Sequence, residues 1–175
     1  MILLLNGAFG IGKTTVARAL AARMPGSVLY DPEIIGIALQ RLNRLGGRRV
    51  DDFQDLSLWR RLTVVGVRMA RMRSPRVIVP MAISNTAYLD ELRDGISRFE
   101  PHLFHLCLVA PKRIVQERLR QRGADPTSNK WEFRRAAECC DAHADRHFAI
   151  QVDTSNRTPD EIAGELLALS FDSVQ

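Results

Sequence analysis

The segment Gly7-Ala8-Phe9-Gly10-Ile11-Gly12-Lys13-Thr14 lies between an apolar run, Ile2 to Leu5, and a helical pattern that opens at Lys13. A glycine, four variable residues and Gly-Lys-Thr form a phosphate-binding loop when a strand leads in and a helix leads out. Glycine admits the unusual dihedrals this loop needs, its backbone N–H groups can converge on an anion, and the helix adds the positive end of its dipole. The expected cradle is therefore Gly7, Ala8, Phe9, Gly10, Ile11, Gly12, Lys13, Thr14 and Thr15. Within it Lys13 reaches the β and γ phosphates and the Thr14 hydroxyl holds Mg2+. A solvent-exposed glycine turn is the competing reading, and the flanking strand and helix oppose it.

The rest of the chain keeps this alternation. Val16, Ala17, Leu20, Ala21 and Met24 recur at helical spacing until Pro25-Gly26-Ser27. Further strands are expected at Val28 to Tyr30, at Val77 to Val79 with Pro80 cutting it short, at Leu103 to Val109 and at Phe148 to Val152. Helices are expected over Ile34 to Leu45, Gln54 to Arg73, Ala87 to Ile96, Pro111 to Arg122, Trp131 to Ala144 and Pro159 to Leu169. Leu58, Leu62, Val65 and Met69 mark the expected buried stripe of the second of these. Gly123 to Lys130 reads as a loop, the centre of a short lid around 118–135. Short apolar strands between helices imply an α/β fold: a P-loop NTPase three-layer sandwich with a five-stranded parallel sheet, like the nucleoside monophosphate kinases. No repeat or long linker divides the chain, so residues 1–175 are expected to form one domain.

Charge limits the range of partners. Twenty-two of the 25 basic residues are Arg, and Arg41 to Arg76 carries ten Arg against three Asp, a local +7. Such a stretch attracts phosphates, nucleic acid or an acidic membrane surface; base composition of the encoding genome explains Arg over Lys equally well. No recognition module accompanies the charge, so nucleic acid is not expected as a partner. No apolar run approaches the roughly 18 residues that span a bilayer, and Met1 to Gly10 lacks the pattern of a secretory signal, so the expected location is the cytoplasm. Cys107, Cys139 and Cys140 suit reduced thiols rather than a disulfide framework.

Beyond the loop, Asp31 follows the second strand, at the carboxyl edge where open parallel sheets bind ligands. There it can accept a proton from an acceptor hydroxyl and help orient Mg2+, as phosphoryl transfer requires. Asp31-Pro32 can also simply cap a helix, and Glu33 reads as a first-turn dipole contact. Asp52, Phe53, Trp59 and Arg60 are candidates for the acceptor side, with surface ion pairing and core packing as alternatives. Arg118 and Arg122, four apart, can point guanidinium groups into the cleft to hold a base or offset phosphoryl charge; a solvated helix face predicts the same spacing. Asn156 follows the last strand, where small kinases contact adenine, and a plain turn is its alternative. Cys139, His143 and His147 lack the spacing of a structural zinc site. Asn129-Lys130-Trp131-Glu132 departs from the base reader of GTPases.

Taken together, Asn6-Gly7-Ala8-Phe9-Gly10 leading to Gly12-Lys13-Thr14, Tyr30-Asp31-Pro32-Glu33, Asp51-Asp52-Phe53-Gln54, Leu58-Trp59-Arg60 and Val79-Pro80-Met81 closely resemble the TmrB family of tunicamycin resistance proteins. The resemblance runs from the first strand to the last. It implies ATP and Mg2+ as cofactors, a small-kinase-like fold related to chloramphenicol phosphotransferase, and an Asp base at the position of Asp31. It also implies a small-molecule acceptor, tunicamycin or another nucleoside-like compound, that is either phosphorylated or bound and sequestered. The family's membrane association is tied to a longer basic carboxyl-terminal region, which this sequence lacks before its end at Gln175.

Overall fold

The computed structural model describes residues 1–148 and 150–172. Five strands, β1 (Ile2–Gly7), β2 (Ser27–Leu29), β3 (Arg76–Met81), β4 (Leu103–Val109) and β5 (Ile150–Asp153), form one parallel sheet in the order β2-β3-β1-β4-β5. Seven α-helices, α1 (Lys13–Arg23), α2 (Glu33–Leu45), α3 (Ser57–Arg73), α4 (Thr86–Ser97), α5 (Lys112–Gln121), α6 (Lys130–Ala142) and α7 (Pro159–Asp172), complete the described secondary structure with two short 3-10 turns.

Alternation along β1 builds two cores. Leu3 and Leu5 point into one with α1, α5, α6 and α7, through residues such as Val16, Leu20, Val115, Leu119, Ala136 and Leu166. Ile2 and Leu4 point into the other with α3 and α4, against Trp59, Val67, Leu89, Leu92 and Ile96. This three-layer α/β sandwich is the expected architecture, and the central β1 delivers its glycine loop to the carboxyl edge of the sheet.

Three local expectations are corrected. β3 does not stop before Pro80 but runs through it to Met81, paired with β1. Tyr30 donates its backbone N–H to the Ile78 carbonyl and Val77 donates to Met1, so alternate residues face β2 and β1 in turn. Pro80 therefore faces β2 beyond that strand's last pair, Leu29 with Ile78, where no ladder bond is needed.

The helix expected from Gln54 starts only at Ser57. Asp52 caps a 3-10 turn, Phe53–Asp55, and Leu56 is extended. Its buried stripe is Trp59, Thr63 and Val67, whereas Leu58, Val65 and Met69 are about half exposed (53%, 52% and 48%). Apolar residues occur around most of this helix, so periodicity alone left its phase open, and burying the large indole of Trp59 decided it.

The last strand begins at Ile150, because Phe148 belongs to the 3-10 turn Arg146–Phe148 and packs in the α3–α4 core. Ala149, inside the expected strand, lies outside the described residues. Asn85 caps α4 by accepting from the Tyr88 N–H at 3.2 Å. No helix among the described residues is long and apolar enough to cross a membrane.

Candidate active site

The loop after β1 is built around two demanding glycines. Gly12, the N-cap of α1, has φ 104°, and Gly10 has φ 81°. A Cβ at Gly10 would also meet the Leu119 side chain at 2.7 Å, so the loop presses closely on α5. The first-turn N–H groups of α1 have no acceptor four residues back, which leaves those of Lys13, Thr14 and Thr15 free to face an anion.

Lys13 is buried at 8% exposure, with its Nζ donating to the Ala8 carbonyl at 3.0 Å and lying 5.3 Å from the Phe9 ring centre. Burial lowers its pKa, while the nearby Glu33 carboxylate opposes that shift. Glu33 shows the reverse: burial raises its pKa, Lys13 pulls it down, and Asp31 and Asp52 push it up.

These groups share one polar cavity of about 170 Å³, lined by Phe9, Gly10, Gly12, Lys13, Thr14, Asp31, Glu33, Pro80, Arg122 and Glu132. Asp31 makes the cap contact and also stands at the cavity edge. Its Oδ1 accepts the Glu33 N–H at 2.9 Å, capping α2, and its carboxylate borders the cavity. Thr14 and two carboxylates supply hard oxygen donors at one place, so these residues fit Mg2+.

Arg118 of α5 and Arg122 just past its end part company. Arg122, at the end of the helix, lines the cavity. Arg118 turns behind the loop and donates to the Ile11 carbonyl (3.1 Å), Thr154 Oγ1 (2.9 Å), the Thr154 carbonyl (2.5 Å) and, at 3.4 Å, the Ser155 carbonyl. It thus joins the phosphate loop to the turn after β5, where Asn156 is exposed.

The acceptor-side candidates divide as well. Asp52 accepts the Gln54 N–H at 2.9 Å and pairs with Arg135 of α6 at 2.9 Å, and burial raises its pKa. Arg135 also reaches Ser84 Oγ at 3.2 Å and Glu138 at 2.9 Å. Phe53, Trp59 and Arg60 do not line the cavity. Phe53 packs on Gly36 and lies 5.0 Å from the Trp59 ring. The Trp59 indole donates to the Pro32 carbonyl at 2.9 Å, and Arg60 donates to Glu91 and the Gln54 carbonyl while stacking 4.1 Å over Tyr88.

Three cavity residues, Glu33, Pro80 and Glu132, stand outside the expected set. Glu33 was read as a dipole contact, although the Asp-Pro-Glu triplet carries the signal: proline opens the helix and keeps both flanking carboxylates near one edge. Glu132 gives no local signal, since only the packing of α6 brings it across the loop. Beside it, Trp131 meets Phe9 edge-on at 5.5 Å. Cys139 contacts the Ala82 carbonyl at 3.7 Å, His143 the Ile83 carbonyl at 2.7 Å, and His147 pairs with Asp90 at 3.0 Å. Among the described residues no group of three or more His, Cys, Asp or Glu is placed to hold a metal ion.

Several known proteins are similar to this chain as a whole. A solved structure of the tunicamycin resistance protein of Deinococcus radiodurans is 27% identical and superimposes with a TM-score of 0.76 over 96% of this chain and 94% of that one. A gluconokinase from Sinorhizobium meliloti, 19% identical over 97% of this chain and 91% of its own, has a TM-score of 0.67 and shares the fold. A Pyrococcus abyssi protein described as "Putative adenylate kinase" is 30% identical over 97% of this chain and 83% of its own length. The sequence profile of the AAA-domain family matches residues 2–158. The chain therefore belongs to the AAA-domain family, as an ATP-binding P-loop protein of kinase-like fold structurally close to a tunicamycin resistance protein.

Proposed function

We propose that the protein transfers the γ-phosphoryl group of ATP to a hydroxyl of a small nucleoside-like molecule, with tunicamycin as one candidate. The observation that carries this reading is the convergence of Lys13, Thr14, Asp31, Glu33 and Arg122 on one polar cavity at the amino end of α1. Phosphoryl transfer needs positioning and charge compensation more than covalent chemistry, and this set supplies both.

The N–H groups of the cradle, from Gly7 to Thr15, take the phosphates. Lys13 exchanges the Ala8 carbonyl for the β and γ oxygens. Thr14 and Asp31 would hold Mg2+, which would draw charge from the phosphate oxygens. The Asp31 oxygen not used by the Glu33 N–H accepts the acceptor's proton, and Arg122 offsets charge on the phosphoryl group in flight. Arg118 and Asn156 serve the nucleotide from the side of the turn after β5. Asp52 with Arg135 forms the acceptor-side rim, while Phe53, Trp59 and Arg60 support it from behind. Segment 118–135 acts as a lid that meets the phosphate loop where Trp131 touches Phe9.

The test is incubation with labelled ATP, magnesium and a panel of acceptors that includes tunicamycin, uridine nucleosides, AMP and gluconate, followed by mass spectrometry. A product heavier by one phosphoryl group that disappears in Asp31→Asn, with ATP affinity retained, supports the reading. Transfer preserved in that variant removes Asp31 as the base. Tight ATP-dependent tunicamycin binding without product would replace transfer by sequestration, in which each ligand strengthens the other's binding by the same factor.

A further inference from the structure

Among the described residues, Trp131 is the one Phe, Tyr or Trp that is exposed, at 38%. It stands in the first turn of α6 and meets Phe9 of the phosphate loop edge-on, and no other ring or cation covers it among those residues. A single exposed apolar side chain needs no explanation by itself, but this one adjoins a site. Phe9, its contact, and Glu132, its neighbour in sequence, both line the cavity around Lys13.

The strand order decides which ligand the indole faces. Asp31 follows β2 and Ser84 follows β3, both on one side of β1, whereas Asn156 follows β5 on the other. Trp131 and Arg135 are four apart and share a face of α6. Arg135 reaches Ser84 Oγ and pairs with Asp52, which sets that face over the acceptor side. Arg118 holds the opposite flank, against the turn after β5. At about 170 Å³ the cavity is smaller than a pocket for a whole ligand, so an acceptor whose hydroxyl reaches Asp31 extends past the rim where Trp131 stands.

We propose that Trp131 is the stacking platform for the base of the acceptor, and so selects acceptors that carry a planar heteroaromatic ring. The inference rests on the transfer to a nucleoside-like molecule proposed above, and adds the residue that recognises the nucleoside part. Every base has a π face, so stacking on an indole selects for a ring without reading one base in particular. The edge-to-face contact with Phe9 holds the indole against the loop that carries the phosphates.

The chain has two tryptophans, and Trp59 is 1% exposed, so indole fluorescence can report on Trp131. The protein is saturated with magnesium and the non-hydrolysable analogue AMP-PNP, then titrated with uridine, adenosine and, as the control without a ring, ribose. The expected result is saturable quenching by both nucleosides, none by ribose, and no response in Trp131→Leu. By calorimetry on the same complex, Trp131→Leu should weaken uridine binding about tenfold, and Trp131→Phe, which keeps a ring, much less. Inorganic tripolyphosphate should change the fluorescence of the free protein as much as AMP-PNP does. A larger change with AMP-PNP would give Trp131 to the adenine of ATP and overturn the proposal. So would the absence of quenching by both nucleosides, equal quenching by ribose, or unchanged uridine affinity in Trp131→Leu. None of these readouts needs turnover: quenching without a phosphorylated product keeps the stacking site and removes the transfer, while transfer to a nucleoside with Trp131 silent does the reverse.

Discussion

The indole Nε1 of Trp59 donates to the carbonyl of Pro32 at 2.9 Å, so the first buried residue of α3 holds the peptide between the two acidic residues of the Asp31-Pro32-Glu33 turn. Trp59 itself is 1% exposed. It therefore fixes where both carboxylates stand without touching the cavity they line. Trp59→Phe keeps most of the apolar volume and loses the donor, which should cost about 1–2 kcal/mol in urea denaturation. Phosphoryl transfer should fall while ATP affinity stays within about twofold, because α1 and its loop keep their own supports. An unchanged transfer rate would assign this contact to stability alone.

Arg118 makes a second prediction. Replacing it by Met leaves the Ile11 and Thr154 carbonyls without their guanidinium donor, and the loop loses its tie to the turn after β5. ATP affinity measured by calorimetry should drop about tenfold or more, in line with charge-assisted bonds of about 1.5–3 kcal/mol. Arg118→Lys should recover only part of it, because an ammonium cannot span acceptors that the planar fork reaches together. Full affinity in Arg118→Met would show that the loop holds its shape unaided.

Gly10→Ala should destabilise the protein by about 1–3 kcal/mol, since both its positive φ and the Leu119 side chain at 2.7 Å oppose a methyl group. Gly47→Ala is the matched comparison, with φ 75° and nothing within 4 Å of the added carbon. It should lose only about 1 kcal/mol. Equal melting temperatures for the two variants would contradict a loop pressed against α5.

Acid should weaken the fold through two buried imidazoles. Burial lowers His105 and His143 from 6.5 to about 4. The unfolded chain then binds more protons than the folded one between those values, so stability rises with pH across that window and is lost as pH falls from about 6.5 toward 4. Each group contributes on the order of 3 kcal/mol at most. His143→Asn should flatten the dependence of urea midpoints between pH 7 and about 4.5 by one group's share. An unaltered slope would exclude His143 as a source.

What could be read from the sequence followed from how locally each feature is determined. The strand-loop-helix unit at Gly7 to Thr14 was legible because backbone geometry alone dictates its glycines. The strand Leu103–Val109 was legible to the residue because its ends are set by a charged and proline-rich surround. The phase of α3 was not, since apolar residues on several sides left tertiary packing to choose the buried face. Nor was the run of β3 through Pro80, which depends on where its neighbour β2 happens to end. The roles of Arg118 and Arg122 separated only in three dimensions, where one reaches the back of the loop and the other its mouth. Glu132 entered the cavity through the packing of α6, about a hundred residues from the carboxylates it joins there.

The tie from Arg118 to both Ile11 and Thr154 spans nearly the whole chain, with α5 supplying the link between an early loop and a late turn. During synthesis the glycine loop leaves the ribosome well over a hundred residues before the turn after β5. The loop thus gains this support only once β5 has been made, and a nascent chain that stops short of it presents the motif without its tie.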